Sequence, residues 1–198
     1  AMTAGALIPD IDVLWSPAGS VVALEPHRGI THSFVGGLGL ALAVGLIVRL
    51  LGPEKRWRLL SGLALLGIVV GHLFLDLITS YGIQLFLPFS RSRPALDLVF
   101  IIDPFFTLPL LGALVAGYAW RSRSALIGRV ALGIVAGYLG LMAVNHLAAV
   151  STLDRIARAQ GIAPRRVEAL PEPFTPARWR GFIEAGEHSW QGIVAVER

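Results

Sequence analysis

Four long apolar runs constrain this chain more than any other feature of its sequence. They cover residues 33–51, 59–80, 98–120 and 125–150, and each contains at most two Asp, Glu, His, Lys or Arg side chains. Each run is close to the roughly 20 residues that a helix needs to cross about 30 Å of hydrocarbon. Helices in a soluble bundle keep a polar stripe, which these runs lack. The runs therefore predict four transmembrane helices.

The predicted architecture is an all-α membrane domain over residues 1–150, followed by a small extension over residues 151–198. Residues 151–160 have the pattern of a short polar helix ended by Gly161. Residues 178–184 and 189–196 are predicted to be two strands of a hairpin. The first residues, Ala1–Leu7, resemble the end of an apolar helix. A fifth span is therefore expected in a longer chain.

Basic residues predict the orientation of these helices. Seven of them lie in or beside the turns that join the first run to the second and the third run to the fourth: Arg49, Lys55, Arg56, Arg58, Arg121, Arg123 and Arg129. The positive-inside rule places both turns in the cytoplasm. In a bacterial inner membrane, the opposite helix ends and the C-terminus would then be non-cytoplasmic. Because the net charge of +4 follows this membrane pattern, it does not indicate a nucleic-acid partner.

Histidine and aspartate residues gather at one end of the predicted helices. With helices that alternate in direction, eight of them fall toward the predicted non-cytoplasmic side: Asp10, Asp12, His27, His32, His72, Asp76, Asp103 and His146. Chance would scatter such residues over both sides of the membrane. Their convergence is the strongest functional signal in the sequence.

A divalent metal ion accounts for several of these residues together. Ionisable side chains inside apolar helices cost about 2.5–3.5 kcal/mol each even on lenient insertion scales. A metal neutralises carboxylates and accepts imidazole lone pairs, and mixed His/Asp ligation suits zinc, manganese or iron. His72 and Asp76 are four residues apart and so lie on one helix face. The chain has no cysteine, which excludes a cysteine-type zinc site.

Each residue also has an alternative role that needs no metal. Asp103 before Pro104 can cap a helix. His72 and Asp76 can form a buried hydrogen-bonded pair, and Asp10, Asp12 and His27 can be ordinary loop residues. His146 fits an interfacial position, and His188 fits a solvated turn. All of these alternatives would have to hold together to remove the metal site.

The motifs that carry these residues resemble those of the YdjM-like family. They are Pro9-Asp10-Ile11-Asp12, His27-Arg28-Gly29-Ile30-Thr31-His32-Ser33, Gly71-His72-Leu73-Phe74-Leu75-Asp76 and Asp103-Pro104. The segment Phe174-Thr175-Pro176-Ala177-Arg178-Trp179-Arg180 is similar to the YfhP-like branch of that family. The family is described as LexA-binding, inner-membrane-associated, metal-dependent hydrolases.

The resemblance implies a membrane-bound hydrolase whose metal ligands come from six residues: Asp10, Asp12, His27, His32, His72 and Asp76. Zinc is the expected metal, with manganese or iron as alternatives. The expected reaction is attack by a metal-activated water on a phosphoester of a lipid or lipid-linked substrate. A carboxylate that does not bind the metal, Asp10 or Asp12, is expected to act as general base. Arg28, with Arg91 or Arg93, is expected to hold the phosphate, and Asp103 to support the site.

Two other classes of function use the same residues. A transporter or ion-handling protein would use the cluster as a proton or metal path, and discontinuous helices in paired halves would favour it. A non-catalytic membrane scaffold would use the metal only for folding, and a closed ligand shell would favour that.

Overall fold

The computed structural model describes residues 1–15, 28–52 and 56–196. These residues form two compact units, residues 1–96 and residues 97–198, and each unit is described on its own.

The described residues of the first unit form three helices and two 3₁₀ segments. Helix α1 is Met2–Leu7, and a 3₁₀ helix, Ile8–Trp15, follows it directly. A second 3₁₀ segment, Ile30–His32, precedes helix α2, which is Phe34–Leu51. Helix α3 is Trp57–Leu77. The first two predicted runs are therefore helical, nearly to the predicted bounds.

Side-chain capping explains where α2 begins. Ser33 has an extended backbone, and its hydroxyl oxygen accepts a hydrogen bond from the Gly36 amide. The same hydroxyl donates to the Ile30 carbonyl at 2.7 Å. This is the N-cap role for which serine is preferred. The cap places His32, one residue before Ser33, directly before the N-terminus of α2.

A π-helical turn interrupts α3 at Val69–Leu73. Such turns are uncommon and occur often at functional sites. This one contains His72, and the α-helix resumes over Phe74–Leu77, which contains Asp76. The sequence predicted a regular helix here, because an inserted π turn leaves the apolar composition unchanged.

The loop after α3 folds back over the end of the helices that carries His32 and His72. Leu85 accepts a hydrogen bond from the Phe34 amide at 3.0 Å, and Leu96 donates to Leu77 at 2.8 Å. Ile83 is fully buried in the core between α2 and α3. The loop therefore helps to enclose this end of the unit.

The second unit begins with two helices, and both differ from the prediction. Helix α4 is Pro104–Ala119 and begins six residues after the predicted start of the third run. Asp103 is extended, as expected for a residue before proline, and its carboxylate caps the helix. Helix α5 is one continuous helix, Ser124–Ala159, of 36 residues. The predicted break near residue 150 is absent because no glycine or proline interrupts the sequence there.

The tail forms a three-stranded antiparallel sheet in the order β1-β2-β3. The strands are Arg166–Pro171, Arg178–Ala185 and His188–Ala195. The predicted hairpin is confirmed as β2 and β3, but β1 was missed because prolines surround it. Pro171 is tolerated at the end of an edge strand, where no ladder hydrogen bond needs its missing N–H.

Three of these helices are long and apolar enough to cross a membrane by length and composition: Phe34–Leu51, Trp57–Leu77 and the helix within Arg121–Ala159. Helix α4 is apolar but has only 16 residues. The predicted count of four or five spans is therefore not confirmed. The predicted division at residue 150 into a membrane domain and an extension stays a prediction.

Candidate metal site

Four side chains of the first unit converge on one point. We call them the His/Asp cluster: Asp10, His32, His72 and Asp76. The Nε2 atoms of the two imidazoles lie 3.0 Å apart. An Asp10 oxygen lies 3.3 Å from the His32 Nε2 and 3.4 Å from the His72 Nε2. An Asp76 oxygen lies 3.5 Å from each of them.

These separations match the spacing of ligands around a single small cation. Four donor atoms in a tetrahedron, each about 2.0–2.1 Å from a zinc ion, lie roughly 3.3–3.4 Å from one another. The measured distances of 3.0–3.5 Å bracket that value. The donor atoms of Asp10, His32 and His72 all lie within 4.8 Å of one another. Asp76 adds a fourth donor atom, an oxygen, at matching distance.

Hydrogen bonds fix the tautomer of His72. Its Nδ1 lies 2.8 Å from the Ala6 carbonyl oxygen, which can only accept. The ring proton of the neutral imidazole is therefore on Nδ1, and the Nε2 lone pair faces the other three members of the cluster. Histidines that bind a metal through one ring nitrogen usually donate the N–H of the other to such an acceptor.

His32 is fixed in the same way by two neighbouring side chains. The Thr31 hydroxyl donates to an Asp12 oxygen at 2.8 Å, so its own oxygen is left to accept from His32 Nδ1 at 3.0 Å. The same Asp12 oxygen lies 3.4 Å from that nitrogen. The proton of the neutral ring is therefore on Nδ1, and Nε2 carries a lone pair here too. His32 is fully buried, and this burial is the main cause that lowers its pKa, with His72 lowering it further.

The cluster places lone pairs and negative charges close together, which is electrostatically unfavourable without a cation. Two imidazole lone pairs face each other and two carboxylate oxygens, and no proton bridges them in these tautomers. The Asp76 Oδ2 atom is buried and accepts no hydrogen bond from the described residues. With Asp12 and Arg28 included, the formal charge is −2, because three carboxylates outweigh one guanidinium. A divalent cation would balance that charge and satisfy the donor atoms.

Arg28 borders the cluster and is held from several directions. One guanidinium nitrogen, Nη2, lies 3.1 Å from the second Asp76 oxygen. The guanidinium lies over the Tyr81 ring at 5.1 Å, and the Arg28 backbone amide donates to Asp12 at 3.2 Å. Its φ of +64° is rare for a residue other than glycine and is typical of functional sites. Nη1 is buried and has no hydrogen-bond partner in the part of the chain that the structure describes.

The remaining predicted site residues have different positions. His27 lies outside the described residues. Arg91 and Arg93 are exposed in the loop after Asp76. In the second unit, both carboxylate oxygens of Asp103 are used: one caps α4, and the other accepts from the Tyr138 hydroxyl at 2.6 Å. These contacts match the capping alternative for Asp103.

Sequence reasoning missed three contributors to the site. The Ala6 carbonyl could not be found, because a backbone acceptor has no residue-type signal. Thr31 lies inside the motif that contains His27 and His32, but a hydroxyl residue beside a histidine carries no signal of its own. Tyr81 follows α3 and had no assigned role. Conversely, Asp12 was predicted as a metal ligand, whereas its oxygen lies at the far nitrogen of His32.

We expect Asp12→Asn to weaken metal binding about 10- to 100-fold, the usual cost of losing a group that orients a ligand. The amide cannot supply the negative charge that faces His32 Nδ1. Metal affinity measured by competition with a chromophoric chelator checks this. Asp154→Asn, an exposed carboxylate of the second unit that pairs with Arg158, is the control and should leave the affinity unchanged. Equal affinity in wild type and Asp12→Asn would contradict the assigned role.

The fold and the site together define a class: a helical membrane protein with a partly buried His/Asp cluster at one end of its first helices. Comparison with known proteins gives the family. The model of the YdjM inner membrane protein family matches residues 1–148, and the chain belongs to that family. This range includes every residue of the cluster.

A curated relative agrees with this assignment. The chain is 34% identical over 122 residues to the uncharacterized protein YfhP of Bacillus subtilis (strain 168). The match covers 62% of this chain and 37% of YfhP, so the chain spans well under two thirds of that relative. No solved structure matches the chain.

Proposed function

We propose that this chain is part of a membrane-embedded, metal-dependent hydrolase. The observation that carries the proposal is the pair of imidazole nitrogens 3.0 Å apart, both with lone pairs directed at each other and at two carboxylates. Such an arrangement is unfavourable without a cation. The membership of an inner membrane protein family supports the predicted bacterial inner membrane location.

The proposed metal is zinc, which would be held by His32, His72 and Asp76, with the fourth position, on the exposed Asp10 side, left for water. Manganese or iron fits the same donors. When bound, a divalent ion would supply an activated water as nucleophile at neutral pH. The protein's own residues would hold and orient the reactants around it. His32 and His72 are fixed by their Nδ1 contacts, and Asp12 and Thr31 hold the His32 ring.

Asp10 is the member of the cluster best placed for proton transfer. Its side chain is 52% exposed, whereas that of His32 is completely buried, so the cluster opens on the Asp10 side. A carboxylate at the open edge can accept a proton from an attacking water, as a general base does. The open edge also argues against a scaffold with a closed ligand shell.

Two features beside the cluster support a lipid phosphoester as the substrate. Among the described residues, the Arg28 guanidinium has a donor without a partner, and such a group suits a charge-assisted bond to a phosphate oxygen. Because this Nη1 atom is buried, a substrate would reach it only after a local shift of its neighbours. Asp10 also lines a cleft of about 420 Å³ whose other lining residues are apolar: Ala4, Leu7, Ile8 and Ile11. A lipid tail would fit this cleft.

The test is a hydrolysis screen on detergent-purified protein that has been loaded with zinc or manganese. Phosphate or alcohol release from phospholipids and lipid phosphates should depend on the metal, stop with a chelator and return when metal is restored. Asp10→Asn and His72→Ala should both be inactive. If metal-loaded protein leaves every lipid phosphate intact, or if a chelator does not change the rate, the proposal is wrong.

A further inference from the structure

An apolar groove between α4 and α5 has one basic end. The groove has a volume of about 500 Å³. Small residues form its α4 side, chiefly Gly112, Ala113 and Ala116, while branched aliphatic residues of α5 form the other. Trp120 and Arg123 line the groove where the two helices meet. It lies wholly within the second unit and contains none of the cluster residues.

The length of the groove corresponds to one leaflet of a bilayer. Its lining on the α5 side extends from Arg123 to Ile134. At a rise of 1.5 Å per residue this is roughly 16 Å. The hydrocarbon core of a bilayer is about 30 Å thick, so the groove would accommodate an acyl chain from the interface to the midplane. A second observation, the chemistry of the basic end, indicates which kind of lipid.

The basic end of the groove has the features of a lipid headgroup site. Arg123 is exposed, and the neighbouring Arg121 lies over the Tyr118 ring at 5.1 Å. Trp120 is 63% exposed, and tryptophan and tyrosine are enriched at the membrane interface. No carboxylate lies between residues 104 and 153, so no acidic side chain of that stretch balances the positive charge of this turn. Basic pockets between transmembrane helices bind anionic headgroups.

We propose that this groove binds one anionic glycerophospholipid, with its phosphate at Arg123 and one acyl chain between α4 and α5. The site shares no residue with the His/Asp cluster and does not depend on the proposed hydrolase activity. Charge complementarity selects an anionic headgroup, and the small residues of α4 leave room for the acyl chain. Gly112 has open space at its Cβ position, which keeps the groove accessible.

Native mass spectrometry of the full chain in detergent tests this proposal. The protein is titrated with dioleoyl phosphatidylglycerol and, in parallel, with the zwitterionic dioleoyl phosphatidylcholine. Wild type should bind one phosphatidylglycerol in preference to phosphatidylcholine. Arg123→Gln should weaken phosphatidylglycerol binding about fivefold and reduce the preference. Gly112→Leu fills the groove and should weaken binding of both lipids at least about tenfold.

Matched controls separate the groove from the general surface. Arg129→Gln removes a nearby arginine that does not line the groove, and Gly128→Leu adds the same side chain at an open position on α5. Both should bind as wild type does. Equal binding of the two lipids by wild type, or equal losses in the test and control variants, would overturn the proposal. So would dimers that disappear in Gly112→Leu, since the groove would then be a contact between copies of the chain.

Discussion

His72→Ala should abolish metal binding while leaving the helices folded. The substitution removes one of two imidazole donors from the His/Asp cluster, so we expect metal affinity to fall by more than about 100-fold, the upper cost of losing only an orienting group. Leu73, which is buried in the core beside it, keeps its packing. In the presence of a chelator, the mutant should lose only the bond to Ala6, worth about 0.5–1.5 kcal/mol.

The measurement is thermal unfolding in detergent with and without added zinc, together with metal content. Wild type should gain about 2.7 kcal/mol at a metal concentration 100 times the dissociation constant, and His72→Ala should gain nothing. Asp76→Ala should behave in the same way. His146→Ala, a histidine of the second unit that packs on Trp179, is the control. Unchanged metal content with a large loss of stability in the chelated mutant would mean that His72 is only structural.

Gly67→Ala should destabilise the first unit, whereas Gly62→Ala on the same helix should not. A Cβ at Gly67 would overlap the backbone oxygen of Met2, because α1 and α3 pack in close contact there. Helices approach this closely only where one of them has a small residue. We expect a loss of about 1–3 kcal/mol in the free energy of unfolding. At Gly62 the added methyl meets nothing within 4 Å, so alanine should stabilise the helix by up to about 1 kcal/mol.

Gly67→Ala should also weaken metal binding. Moving α1 away from α3 displaces the Ala6 carbonyl that fixes the His72 tautomer, and it displaces Asp10, which follows α1 in the chain. Metal affinity should therefore fall in Gly67→Ala and stay unchanged in Gly62→Ala. Chemical denaturation and a metal titration on both variants decide the matter. Equal effects of the two variants, in sign and size, would show that close packing of α1 does not support the site.

Much of this architecture was readable in the sequence because burial and charge leave clear patterns. The lengths of the apolar runs predicted α2, α3 and the membrane part of α5, and the spacing of His72 and Asp76 predicted a shared face. The positions of His32 before α2 and His72 near the end of α3 predicted that both lie at one end of the first unit. The 3.0 Å between them confirms this.

Other features depend on contacts that the sequence does not encode locally. The π turn at Val69–Leu73 has no composition of its own, and β1 is extended only because β2 pairs with it. The third run looked long enough to span a membrane, but Asp103 and Pro104 start its helix late. The different roles of Asp10 and Asp12, both in one short motif, depend on which nitrogen of His32 each one faces.

Equilibrium metal binding to the detergent-purified, full-length protein tests the central claim most directly. We expect wild type to bind about one equivalent of zinc per chain in a four-ligand site of nitrogen and oxygen donors, with X-ray absorption distances of about 2.0–2.1 Å. His72→Ala should bind none under the same conditions. A wild-type protein that takes up no zinc, manganese or iron, or one that binds equally well after loss of His72, would contradict the account.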